Sequence, residues 1–164
     1  MAAQVRMNEY NGAGAVKTTG IVNVNFGSVD APNLNPAQAV IERGTNSFDK
    51  WIKVDFYGGT FNRISNVKVW RSDGQFGDGP VLPSGVWVKG EAGYSSDLVY
   101  QQPSRVQRVT QDLPRLKSEA LSVGPAQLTT YGESYFIHLQ LVTTTDAPTG
   151  DVDLGYIAVE WQEE

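Results

Sequence analysis

Alternation of apolar and polar residues constrains the fold of this chain more than any other feature. The clearest runs cover residues 134–144 and 154–162. In the first run, Ile137, Leu139 and Leu141 fall on one face of an extended chain, and Phe136, His138 and Gln140 fall on the other. Successive side chains of a strand point to opposite faces, so this period of two predicts half-buried β-strands.

Further runs of the same kind predict the remaining strands. They cover residues 21–26, 37–43, 51–57, 60–71, 85–89, 98–102 and 116–123. No helical pattern of useful length lies between them. Eight or nine short strands therefore predict an all-β fold, an antiparallel β-sandwich of jelly-roll type, with a closed barrel as the alternative.

Glycine and proline divide these strands. Gly58 and Gly59 separate residues 51–57 from 60–71, which predicts that the two runs form a β-hairpin. Residues 72–85 hold four glycines and two prolines and are expected to form a loop. The polar residues 102–116 are expected to form a long surface loop or edge segment.

The length and the N-terminus predict one domain with a short arm. A chain of 164 residues suits a single core. Residues 1–14 are small and polar and lack the apolar core of a secretion signal. We expect them to form a flexible N-terminal arm that orders against a neighbouring subunit, with simple fraying as the alternative. Residues 15–164 are then the sandwich domain.

Composition excludes several classes of function. There is no cysteine, which rules out disulfides, thiol catalysis and zinc ribbons. The net charge of −5 argues against a nucleic-acid partner. The apolar runs are too short for a membrane span. We expect synthesis in a cytoplasm.

The residues capable of chemistry are few. His138 is the single histidine and lies in a strand pattern, without the G-x-S-x-G elbow of a hydrolase. A metal site built on it would lack a second imidazole. The carboxylates are scattered along the sequence. We therefore predict a structural histidine, no catalytic residue, no cofactor and no metal ligand set.

Two loops contain several aspartates, whose carboxylates are common ligands of calcium. Their aspartates are Asp73 and Asp78 in the first loop and Asp146, Asp151 and Asp153 in the second. Neither loop follows the EF-hand spacing. Because aspartate also stabilises turns through its own backbone, the turn role is favoured over a structural Ca²⁺ ion.

Three tryptophans are predicted on faces that also carry lysines, namely Trp51, Trp70 and Trp87. Such rings are covered by loops of the same chain, or stack on sugars in a carbohydrate-binding module, or meet a neighbouring subunit. The candidate interface set is Trp51, Trp70, Trp87, Lys68, Lys89, Phe76 and Tyr10.

Two stretches carry a resemblance to a known group of proteins. Residues 51–70, WIKVDFYGGTFNRISNVKVW, and residues 146–164, DAPTGDVDLGYIAVEWQEE, resemble small β-sandwich virion proteins of tailed phages. The resemblance implies a structural protein of the virion that decorates or cements the head, without catalytic residues. It implies the major capsid protein and further copies of the chain, as a trimer, for partners. A neck or tail component fits the same motif, and a carbohydrate-binding module is the alternative function.

Overall fold

The computed structural model describes residues 2–164 as two antiparallel β-sheets. The ten strands are β1 (Gln4–Asn11), β2 (Val16–Thr19), β3 (Lys50–Gly58), β4 (Ile64–Ser72), β5 (Val86–Ala92), β6 (Leu121–Ser122), β7 (Gln127–Leu128), β8 (Gly132–Glu133), β9 (Ile137–Thr143) and β10 (Tyr156–Glu163). Two single 3-10 turns, Pro36–Gln38 and Lys117–Glu119, are its only helices. Neither of these described helices has the length or apolar character to cross a bilayer.

The strands divide into a six-stranded and a four-stranded sheet. The larger sheet has the order β2-β1-β3-β9-β5, and β8 also pairs with β3. The smaller has the order β10-β4-β6, and β7 also pairs with β4. The predicted antiparallel β-sandwich is confirmed, with ten strands instead of eight or nine.

One apolar core lies between the sheets. From β3 it receives Ile52, Val54 and Phe56, all completely buried. Val67 and Val69 of β4 meet them from the other sheet. The inward faces predicted from alternation for these strands, and for β9 and β10, are confirmed.

The predicted hairpin between residues 51–57 and 60–71 is wrong. Strand β3 pairs with β1 on one side and with β9 and β8 on the other, whereas β4 belongs to the second sheet. The chain therefore crosses the sandwich after Gly59, where φ is +83°. A side chain there would meet Ala2 O at 2.1 Å, so the crossing requires glycine. A hairpin within one sheet and a connection that crosses to the other sheet need the same turn residues and the same apolar faces. The local sequence therefore does not distinguish between them.

The predicted flexible arm is also wrong for residues 4–11. They form β1, which is hydrogen-bonded to β2 on one side and β3 on the other. Asn8 and Glu9 of this strand are completely buried. The polar side chains of residues 1–14 suggested a flexible arm. Inside the fold, however, Asn8 and Glu9 form hydrogen bonds with polar side chains of β3. The boundary drawn at residue 14 falls in the turn between β1 and β2. Met1 lies outside the described residues.

Three predicted strands are loops in the structure. They cover residues 21–26, 37–43 and 98–102, none of which belongs to a strand. Only Ile21 among the first of these extends the pairing, since its N–H donates to Met7 O of β1. The loop over residues 102–116 is less superficial than predicted, because Val109 and Leu113 are buried. Leu113 N–H bonds Val88 O, and Gly90 N–H bonds Gln111 O, so this loop covers the outer edge of β5.

Candidate functional site

The register of the larger sheet brings three side chains together on its outer face. His138 of β9 lies opposite Trp51 of β3 and, on the other side, opposite Glu91 of β5. Ile137 and Leu139 face the core, so His138 faces outward. The imidazole stacks on the Trp51 indole with 3.9 Å between ring centroids. This stack is the centre of a buried polar cluster.

Both nitrogens of the His138 ring contact carboxylates. Nε2 lies 2.5 Å from Asp49 Oδ2, and Nδ1 lies 3.0 Å from Glu91 Oε1. The imidazolium form donates from both nitrogens, whereas neutral imidazole donates from only one. The His138 ring is therefore held between two carboxylate groups, one at each nitrogen.

Asp49 is the shared hydrogen-bond acceptor of the cluster. Besides His138, it accepts from Arg108 Nη2 at 2.5 Å, from Ser104 N–H at 2.6 Å and from Trp51 Nε1 at 3.3 Å. Burial alone raises the pKa of Asp49, but the hydrogen bonds from His138 and Ser104 and the charges of His138 and Arg108 outweigh it and hold the pKa below its ordinary value. Asp49 thus stays ionised and ties the 102–108 segment to β3 and β9.

An open cleft of about 370 Å³ lies beside this cluster. Its lining residues are Trp51, Glu91, Leu98, Val99, Gln101, Arg108 and His138. The side chain of Glu91 is 42% exposed and is the accessible carboxylate of the cleft. General acid–base catalysis needs a group within hydrogen-bond reach of a substrate, and both His138 nitrogens are already engaged. The arrangement neutralises buried charge and fixes loops to the sheet.

A second buried pair ties β1 to β3. Lys50 Nζ lies 3.0 Å from Glu9 Oε1, and neither side chain is more than 4% exposed. Burial raises the pKa of Glu9 in spite of the opposing charge of Lys50. Tyr10, predicted as an interface residue of the arm, instead donates from its hydroxyl to Glu133 at 2.6 Å and packs its ring edge-on against Phe136.

The predicted tryptophan surface is largely internal. Trp51 and Trp70 are 3% and 0% exposed, and Trp70 Nε1 donates to Gly77 O in the 72–85 loop. Loops of the same chain cover both rings, so neither is available to a sugar or a neighbouring subunit. Only Trp87, at 37% exposure, remains accessible among the three.

The other predicted interface residues lie apart from one another. Lys89 pairs with Asp112 at 2.6 Å and places its ammonium 5.6 Å from the centre of the Trp87 ring. Lys68 is half-buried on β4, opposite Glu160 of β10. Phe76 is exposed in the 72–85 loop. The structure therefore places Lys89 with Trp87, and Phe76 at a separate edge beside β10.

The aspartates of the acidic loops bind backbone. Asp73 Oδ1 accepts from the N–H groups of Gln75 and Gly77, and Asp78 Oδ1 accepts from Lys117 N–H. The hydrogen bond from Gln75, followed by that from Gly77, lowers the pKa of Asp73. The predicted turn role is confirmed for Asp73, whereas Asp78 joins its loop to a distant segment of the chain at Lys117. Within residues 2–164, no three histidine or carboxylate side chains are grouped to hold a metal ion.

Sequence reasoning missed the partners of His138. Asp49 precedes a strand, Glu91 ends one, and Arg108 lies in a loop that was predicted to be superficial. Their positions along the chain carry no common spacing. Only the pairing of β5 and β3 with β9 brings them together.

Comparison with known proteins leaves the chain without a match. No family model, no curated protein and no solved structure matches it. Any function is therefore argued from the chain itself.

Proposed function

We propose that this chain is a non-enzymatic structural subunit of a tailed-virus particle, where it attaches to the major capsid protein and stabilises the head. The resemblance of residues 51–70 and 146–164 to small virion proteins supports the proposal. Both stretches form strands of the sandwich, since the first covers most of β3 and β4 and the second contains β10.

The observation that carries the proposal is Trp87 on the accessible side of β5. Its ring is 37% exposed and Lys89 lies beside it, so an indole and an ammonium are presented together. Tryptophan is enriched among the residues that anchor protein interfaces. Trp87 is therefore the proposed contact with the capsid.

The polar cluster supports a role without catalysis. His138 has both nitrogens bound to carboxylates, and Asp49 is enclosed by four donors. Ser104 Oγ, the hydroxyl nearest to this cluster in the 102–108 segment, accepts from Val106 N–H. We assign the cluster to holding the sandwich together.

Co-sedimentation tests the attachment. The chain is mixed with particles of the major capsid protein encoded in the same genome, and bound protein and the temperature of particle disassembly are measured. We expect binding and a higher disassembly temperature. Trp87→Ser should abolish both effects, whereas Tyr94→Ser, which removes another exposed aromatic ring, should leave them intact.

Three outcomes would contradict the capsid assignment. The first is the absence of the chain from every particle fraction. The second is binding only to neck or tail proteins, which would favour the alternative location. The third is a shift of tryptophan fluorescence on adding oligosaccharides that Trp87→Ser removes, which would favour a carbohydrate-binding module.

A further inference from the structure

Strand β10 forms an open edge of the smaller sheet. It pairs with β4 on one side and with no other strand among residues 2–164. A groove of about 180 Å³ follows this edge, lined by Ser72, Gly74, Phe76, Tyr156, Ile157, Ala158 and Val159. An unpaired edge offers a row of backbone groups to another strand.

The free backbone groups of this edge can be identified. Ile157 lies opposite Arg71 in the register, yet Arg71 N–H donates to Pro114 O at 2.8 Å. The Ile157 and Arg71 pair is therefore not hydrogen-bonded. Successive residues of a strand direct their backbone N–H and C=O groups to opposite sides. Ile157 and Val159 therefore direct these groups toward the open edge.

We propose that this edge is a docking surface for a second copy of the same chain, with two β10 strands antiparallel about a two-fold axis beside Ala158. In this register, Ile157 of each copy lies opposite Val159 of the other. Both residues present free groups, so each such pair exchanges two hydrogen bonds. The smaller sheets of the two molecules then form one continuous sheet.

The side chains fit the same register. On the inner face, Ile157 lies beside Val159 of the second copy, a contact between two β-branched apolar residues. On the outer face, Ala158 meets its own counterpart, and Tyr156 lies opposite Glu160 of the second copy. No like charges are directly opposite within the paired strands, which would destabilise them.

Two aromatic side chains border the groove on its outer side. Phe76 and Tyr156 are 64% and 65% exposed. Gly74 lies under the Tyr156 ring, since a side chain there would approach the ring to 2.8 Å. Pairing of the two edges brings these rings toward the other molecule, and their burial adds to the backbone hydrogen bonds.

The net negative charge of the C-terminal segment opposes the contact. All charged residues of the segment 146–164 are acidic, namely Asp146, Asp151, Asp153, Glu160, Glu163 and Glu164. Two copies of this segment repel each other, and added salt screens the repulsion. Self-pairing should therefore strengthen with salt. A cationic strand of another protein, the competing occupant, would bind more weakly as salt increases.

Sedimentation velocity of the purified full-length chain over a range of concentration and salt tests the proposal. We expect a monomer–dimer equilibrium that salt shifts toward the dimer. Tyr156→Glu places a carboxylate opposite Glu160 of the second copy and should raise the dissociation constant by about tenfold or more. Tyr156→Lys loses the same ring but places an ammonium opposite Glu160, so its dissociation constant should lie well below that of Tyr156→Glu.

The matched controls are Tyr94→Glu and Tyr94→Lys, which change charge at an exposed tyrosine outside β10. They should leave the dissociation constant near that of the parent chain. An equal loss of dimer in Tyr156→Glu and Tyr156→Lys would overturn the register. A monomer under all conditions, or a trimer, would overturn the proposal. These measurements need no capsid, so their failure is distinct from a failure of capsid attachment.

Discussion

At the scale of single residues, Asp49 shows how this sandwich accommodates buried charge. A carboxylate that is 1% exposed is tolerated because hydrogen-bonding partners surround it, among them the guanidinium of Arg108. His138 was predicted to be structural, and its contacts with Asp49 and Glu91 show which groups accompany this buried ring.

Asp49→Asn is expected to destabilise the chain by about 3 to 5 kcal/mol near neutral pH, because Arg108 and His138 lose their shared anionic partner. Urea unfolding followed by fluorescence measures the difference. Asp146→Asn, at an exposed loop position, is the matched control and should change the free energy of unfolding little. Equal stabilities of the two variants would contradict the role assigned to Asp49.

The same carboxylate predicts a loss of stability in acid. Its pKa in the folded state lies below the ordinary value of 3.8, so folding favours the ionised form. This contribution is complete above pH 3.8 and is lost as the pH falls through the folded pKa. Unfolding free energies measured across this range should therefore fall less steeply for Asp49→Asn than for the parent chain. Parallel curves would show that Asp49 does not titrate in this way.

At the scale of elements, the pairing of β4 with β10 and the separation of β4 from β3 define the architecture. Alternation alone predicted the inner faces of β3 and β4 correctly, because each strand buries one face. It assigned the wrong neighbour to β4, since a glycine turn serves a hairpin and a crossing equally well.

Cysteine pairs test this topology, because the chain has no cysteine of its own. Lys68 and Glu160 are directly opposite on β4 and β10, at a separation that suits a disulfide. Lys68→Cys with Glu160→Cys should form an intramolecular disulfide on mild oxidation, detected by mass spectrometry. Lys53→Cys with Ile64→Cys is the comparison pair, because the two positions would be opposite in a hairpin that turns at Gly58 and Gly59. They lie in different sheets of the structure, so this pair should remain reduced. A disulfide in the second pair but not in the first would support the hairpin between β3 and β4.

At the scale of the whole molecule, the fold separates the tryptophans into internal and accessible groups. Trp51 and Trp70 are covered by loops, and Trp161 of β10 packs against Phe56 in the core. Trp87 remains partly exposed on β5. The sequence predicted that Trp51, Trp70 and Trp87 share faces with lysines, but cover by distant loops could not be read from it.

Substitution of the tryptophans should reveal this division. Trp70→Ala is expected to cost about 3 to 5 kcal/mol because it opens a cavity, as for other buried aromatic rings. Trp87→Ala should change stability by about 0.5 kcal/mol or less, as at other exposed positions. Thermal unfolding measures both variants. A stable Trp70→Ala protein would contradict the burial of that ring.

The sequence by itself determined the all-β class and the inward faces of the principal strands. These follow from side-chain period and from residue type, which are local properties. Only the tertiary structure decided that residues 4–11 form a strand, that β3 and β4 lie in different sheets, and that Asp49, Glu91 and Arg108 meet at His138. Each of these depends on which strands become neighbours, and neighbours are chosen by the packing of the whole core.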